Sequence, residues 1–310
     1  MNFIKPNDRF MFLAILSFIF VSSTALAITG NINTTLLYSN VVKGSDEDFP
    51  SIPVLSDKSG FPIVSAQGAL AVDLDSGIPL YEKNADSPLL PASTTKIITA
   101  LVALDNYPLD MIIKVGKARI DGQKMGLIQK EEIKVEDLLY GLLVYSANDA
   151  AEVLALNFPG GREKFIEAMN KKAEELSLND SRFQNPSGLD GNGHVSTARD
   201  LVRVSEVAMR NPEFAKIVGT KNIVVKSTNN KISHKLTNIN ELLGVVPGVM
   251  GVKTGWTENA RENLVTYIER DGHKVFIAIL GSQDRFGETK ELIEWIFSNY
   301  EWQSVTLPSN

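Results

Sequence analysis

The sequence predicts an α+β domain: one antiparallel sheet built from both ends of the chain, with a helical block inserted between them. Three observations carry this. A short hairpin pattern lies at 69–82. Apolar helical patterns fill most of 93–209. Three strand patterns and a last helix follow at 248–300.

The elements follow in order. Residues 69–74 (ALAVDL) and 78–82 (IPLYE) read as two short strands joined by the turn residues Asp75-Ser76-Gly77. Residues 93–105 form a helix so apolar that it must be buried. Two helical stretches occupy 135–156 and break at Ser146-Ala147-Asn148. Residues 161–176 and 197–209 are amphipathic helices, with Pro212 just past the second. Residues 248–257 are strand-like and Gly-rich. Residues 263–270 and 273–280 are strands joined by Asp271-Gly272, a strong hairpin signal. A final amphipathic helix spans 289–300.

The N-terminus has a basic start (Lys5, Arg9), an apolar run at 10–21 and an Ala25-Leu26-Ala27 pattern. This is the layout of a secretory signal, with a retained membrane anchor as the other reading. The expected organisation is a signal or anchor at 1–27, a flexible tether at 28–62, the main folded domain at 63–303 and a tail at 304–310. The tether is polar, acidic at 45–48, and has no persistent period. An exported protein is expected, at the periplasmic or extracellular face of the cytoplasmic membrane, with possible N-terminal attachment.

Composition narrows the chemistry. The 310 residues carry 31 Lys plus Arg against 37 Asp plus Glu, a formal net charge of -6. That argues against nucleic-acid binding, which needs a basic face. There is no cysteine, so disulfides, thiol catalysis and Cys-ligated metals are excluded. The three histidines (His194, His234, His273) do not sit at helical ligand spacing, so no metal or cofactor is expected.

Three motifs occur in order: Ser93-Thr94-Thr95-Lys96, Ser146-Ala147-Asn148 and Lys253-Thr254-Gly255. Each has decoys, such as Lys58-Ser59-Gly60 and Ser177-Leu178-Asn179, so order and context discriminate. On a helix, Ser93 and Lys96 share one side. Burial or a cationic neighbour such as Lys253 would lower the Lys96 pKa and make the amine a base for Ser93. Taken alone, Ser93 would more readily be a helix cap. Ser146 can shuttle a proton and Asn148 can orient Lys96 or the substrate. Strand alternation puts Lys253 and Gly255 on one face and Thr254 on the other.

Together these residues resemble the penicillin-recognising serine acyl enzymes. Their flanks narrow the resemblance to the D-alanyl-D-alanine carboxypeptidases, the low-molecular-mass penicillin-binding proteins. Those flanks include Pro91-Ala92 before Ser93, Asp149-Ala150-Ala151 after Asn148, Ser196-Thr197-Ala198-Arg199-Asp200 and Trp256-Thr257. The resemblance runs from about 65 to 300. It implies Ser93 as acylated nucleophile, Lys96 as base, Ser146 in proton transfer, and Asn148, Lys253, Thr254 and Gly255 in substrate binding. It also implies an oxyanion hole from the backbone N–H groups of Ser93 and Trp256, and Arg285 as a carboxylate-binding residue. The implied partners are peptidoglycan stem peptides, with β-lactam antibiotics as covalent inhibitors.

Two departures stand out. Arg261 occupies a position where many members have Gly, and the C-terminal β-domain and membrane helix of many members are not expected here. The alternatives are a DD-endopeptidase, a β-lactamase and a catalytically silent wall-binding homologue. A β-lactamase of class A would need a Glu and an Asn to activate water, and Glu167 and Asn170 are the nearest candidates.

Overall fold

The structure, a computed structural model, describes residues 50–56, 60–117 and 120–304. The signal or anchor at 1–27, most of the tether, the decoy Lys58-Ser59 and nearly all of the tail lie outside the described residues.

Strands β1 (Ile52–Leu55), β2 (Gly68–Asp73) and β3 (Pro79–Lys83) come first, followed by a 3-10 turn (Ala92–Thr95) and helix α1 (Lys96–Asn106). Strands β4 (Ile112–Lys114) and β5 (Glu132–Lys134) lead into helices α2 (Val135–Leu143), α3 (Asn148–Leu156), α4 (Gly161–Glu175), α5 (Ala198–Met209) and α6 (Pro212–Val218). The chain then forms β6 (Asn222–Lys226), β7 (Ser233–Thr237), β8 (Val249–Thr257), β9 (Arg261–Arg270), β10 (His273–Ser282), helix α7 (Arg285–Asn299) and β11 (Tyr300–Gln303).

The main sheet has the order β3-β2-β10-β9-β8, and each neighbouring pair is antiparallel. Both chain ends therefore contribute to it, as the patterning implied. Strands β9 and β10 read as continuous apolar runs because both faces are covered. Leu264, Ile268, Val275, Ile277 and Ile279 pack with Leu292, Ile293 and Ile296 of α7. Their alternates Val265, Tyr267, Phe276, Ala278 and Leu280 join the core of the helical block. Strand β8 is left at the sheet edge, beside that block.

Several expectations need correction. The tether reading over 28–62 fails at its end, because β1 pairs antiparallel with β11. Ser56 adds two bonds to the Asn299 carbonyl, from its N–H at 2.7 Å and its Oγ at 2.8 Å. The compact unit accordingly begins at Pro50, not at 63. Four residues are too few to show a period, and their partner lies at the far end of the chain.

The helix expected from 93 begins at Lys96, and Ser93 lies in the 3-10 turn with no side-chain cap bond there. Pro212 does not merely follow a helix. It opens α6, whose Asn211 cap accepts from the N–H groups of Glu213 and Phe214. The last helix starts four residues earlier than expected, capped by Asp284. The hairpins β4–β5 and β6–β7 were not expected. Among the described residues no helix is long and apolar enough to cross a membrane.

Candidate active site

The three motifs converge on one cavity of about 700 Å³ between the edge of β8 and the helical block. Ser93, Ser146, Asn148, Thr254, Gly255, Trp256 and Arg285 line it. Lys96 and Lys253 lie directly behind that lining, each almost wholly buried.

The Lys96 amine has three neighbours: Ser93 Oγ at 2.7 Å, Asn148 Oδ1 at 2.7 Å and the Ser187 carbonyl at 2.6 Å. The last two can only accept. The Asn148 amide orientation is fixed because its Nδ2 donates to the Asp121 carbonyl at 2.8 Å. A neutral amine has two N–H groups and one lone pair. Asn148 and Ser187 take the two N–H groups, so the lone pair faces the Ser93 hydroxyl. Burial, reinforced by the charge of Lys253, holds the Lys96 pKa well below the usual lysine value and favours this neutral form.

Lys253 Nζ donates to Ser146 Oγ and to the Thr254 carbonyl, both at 2.9 Å. Burial, with the Arg285 charge adding to it, lowers the Lys253 pKa to about 7. Because Ser146 Oγ accepts from Lys253, its own O–H is available to donate. Ser146 sits between α2 and α3 with a φ of 59°, and Ala92, just before Ser93, has a φ of 47°. Two non-glycine residues in the left-handed region thus flank the reacting groups.

The strand register carries the third motif. Lys253 lies opposite Val265 and Gly255 opposite Asn263, on the side of the helical block; Thr254 lies opposite Leu264. Alternation therefore holds. Gly255 is required by closeness: a Cβ there would sit 3.0 Å from the Pro91 carbonyl oxygen and 3.1 Å from Ser93 N. Arg285 Nη1 donates to the Gly255 carbonyl at 3.0 Å. Arg285 Nε and Thr254 Oγ1 are both buried without a hydrogen-bond partner. Both residues line the cavity, where the Arg285 guanidinium, close enough for its charge to act on Lys253, favours an anion.

Motif reasoning missed the loop after α4. Asn185 Oδ1 accepts the backbone N–H groups of Ser187, Gly188 and Leu189, which aims the Ser187 carbonyl at Lys96. Gly188 has a φ of 84°, and a Cβ there would lie 1.9 Å from the Ala92 carbonyl oxygen. The turn string Asn185-Pro186-Ser187-Gly188 was the available signal. The Asp149 carboxylate holds the facing loop, accepting from the N–H groups of Met125, Gly126 and Leu127. Arg261 has a φ of 58°, in the left-handed region that favours glycine.

Glu167 and Asn170 are not in the cavity. Both lie on α4, where Glu167 pairs with Lys164 and Asn170 bonds Phe183.

Residues 56–284 match the family described as D-alanyl-D-alanine carboxypeptidase. The chain belongs to that family. The D-alanyl-D-alanine carboxypeptidase DacF of Bacillus subtilis is 33% identical over 246 residues, which cover 76% of this chain and 63% of that relative. DacB2 of Mycobacterium tuberculosis, also named a D-alanyl-D-alanine carboxypeptidase, is 35% identical over 243 residues, 75% of this chain and 82% of the relative. A Streptomyces DD-transpeptidase of known crystal structure superposes with a TM-score of 0.73 at 32% identity, covering 77% of this chain and all of that one.

Proposed function

We propose that this protein is a serine D-Ala-D-Ala carboxypeptidase that removes the terminal D-Ala from peptidoglycan stem peptides. The observation that carries this reading is the buried Lys96 amine, 2.7 Å from Ser93 Oγ with two pure acceptors as its other neighbours, in a cavity that Arg285 also lines.

The terminal carboxylate docks on Thr254 Oγ1 and Arg285, near the Lys253 charge. Ser93 Oγ attacks the carbonyl of the penultimate D-Ala while Lys96 takes its proton. The N–H groups of Ser93 and Trp256 stabilise the oxyanion. The C–N bond breaks, and the proton passes through the Ser146 hydroxyl to the departing D-Ala amine. Lys96 is then neutral again. It takes a proton from water, whose oxygen attacks the acyl ester, and the proton returns to Ser93. β-Lactams acylate Ser93 by the same first step.

The apolar N-terminal run supports export, with the catalytic domain working at the outer face of the cytoplasmic membrane. N-terminal sequencing of the exported protein separates a cleaved signal, with a start at Ile28, from a retained anchor. The activity is tested by mass spectrometry of a stem pentapeptide and a cross-linked dimer after incubation. Loss of one D-Ala from the pentapeptide, with the dimer intact, is expected. Cleavage of the dimer alone would make the enzyme an endopeptidase.

A further inference from the structure

The cavity is electrically two-ended. Among the described residues that line it, Arg285 and Glu258 carry the charges. Arg285 stands beside β8, donating to the Gly255 carbonyl. Glu258 stands just past the end of β8, in the turn to β9. Its carboxylate is exposed and enters no ion pair among the described residues. The turn that carries it is pinned across the cavity mouth. Asp190 accepts from Thr257 Oγ1 at 2.7 Å and from Asn259 Nδ2 at 2.9 Å, and Ala260 N donates to Thr257 Oγ1 at 2.9 Å. The backbone that carries Glu258 is therefore held at the cavity mouth.

Two anchors set the direction of a bound peptide. In the proposed mechanism its carboxylate docks at Thr254 and Arg285, which line the cavity, and its scissile carbonyl lies where Ser93 N comes close to Gly255. The upstream residues then continue along the free edge of β8, past Trp256 and toward Glu258. Four strand positions separate Thr254 from Glu258, about 13 Å at 3.3 Å per residue. That distance spans the two terminal residues and reaches the side chain of the one before them. Trp256 is 61% exposed there, and Leu189 faces the same cavity, so apolar surface is available for a methylene stem beneath a charged head.

We propose that Glu258 makes this site selective for peptides whose residue before the D-Ala pair carries a free side-chain ammonium. The inference rests on the carboxypeptidase reading above.

The test uses two tripeptides that differ only in that charge: Nα-acetyl-L-Lys-D-Ala-D-Ala and its Nα,Nε-diacetyl form. The wild-type enzyme should favour the free amine by about 2- to 5-fold in kcat/KM at low ionic strength, and salt should shrink the ratio. E258Q should bring the ratio to one and E258K should take it below one. Penicillin acylation of each variant reports that the fold and Ser93 are intact. A wild-type ratio of one, or a preference that survives in E258Q, overturns the role of Glu258 while leaving the carboxypeptidase reading in place. Failure to release D-Ala from either peptide, with penicillin acylation retained, overturns both.

Discussion

Lys253 Nζ donates to Ser146 Oγ across 2.9 Å, tying the edge strand of the sheet to the break between α2 and α3. The same ammonium presses on Lys96. While Lys253 is protonated, its charge disfavours a second cation behind Ser93 and adds to burial in lowering the Lys96 pKa.

The pH profile should report this coupling. In the proposed mechanism the competent base is neutral Lys96, present above its pKa, so the acylation rate should rise with pH through that value. Lys253→Met removes a positive charge, which stabilises the Lys96 ammonium and raises its pKa. The acid limb of the acylation rate should therefore move to higher pH. Stopped-flow acylation by a chromogenic β-lactam between pH 5 and 9 measures it, and a limb that stays in place would show that burial alone sets the Lys96 pKa.

Two glycines should rank differently. At Gly188 a Cβ would lie 1.9 Å from the Ala92 carbonyl oxygen, and a φ of 84° is unfavourable for any side chain. Gly188→Ala should cost more than about 2 kcal/mol in stability and displace the Ser187 carbonyl from Lys96. At Gly255 the nearest contacts are 3.0–3.1 Å, so a shift of a few tenths of an ångström accommodates the methyl. Gly255→Ala should be milder in Tm yet still slow acylation, because the methyl presses on the Ser93 amide. Thermal melts and fluorescent-penicillin labelling of both variants check the order.

His194 should make stability fall in acid. Its Nδ1 accepts from the Gln184 N–H at 3.0 Å, so Nε2–H donates to Thr95 Oγ1 at 2.8 Å, one residue before Lys96. Burial lowers its pKa from 6.5 to about 4. Between those values the unfolded chain binds the extra proton, so this contribution is complete above pH 6.5 and lost as pH falls toward 4. The full loss is on the order of 3 kcal/mol. Urea unfolding at pH 4.5 and 7 should show a smaller difference for His194→Gln than for the wild type.

The N-terminal boundary can be tested by length. A chain starting at Pro50 keeps β1, whereas one starting at Ile63 uncovers the β11 edge and loses the Ser56 bonds. The shorter chain should still be acylated by penicillin, since every motif lies downstream. Its Tm should drop by about 2–4 °C for each kcal/mol lost, which differential scanning calorimetry would read.

The fold class and the motif residues that meet at the candidate site were legible in the linear chain because their signals are local. The apolar runs at 263–270 and 273–280 and the Asp271-Gly272 turn announce a hairpin without reference to anything distant. Ser93 and Lys96 are three residues apart, and the order of three short motifs is itself a linear property. The pairing of Ile52–Leu55 with Tyr300–Gln303 was not legible, because neither segment is long enough to show a period before its partner is known. The same limit hid Ser187, which contributes a backbone carbonyl, an atom every residue has. The lowered pKa of Lys96, the meeting of Thr254 and Arg285 in one cavity lining, and the opposition of Glu258 to Arg285 across that cavity depend on burial and on distances between segments far apart in the chain. Only packing the sheet edge against the helical block brings those groups together and removes from Lys96 and Lys253 the water that would otherwise screen them.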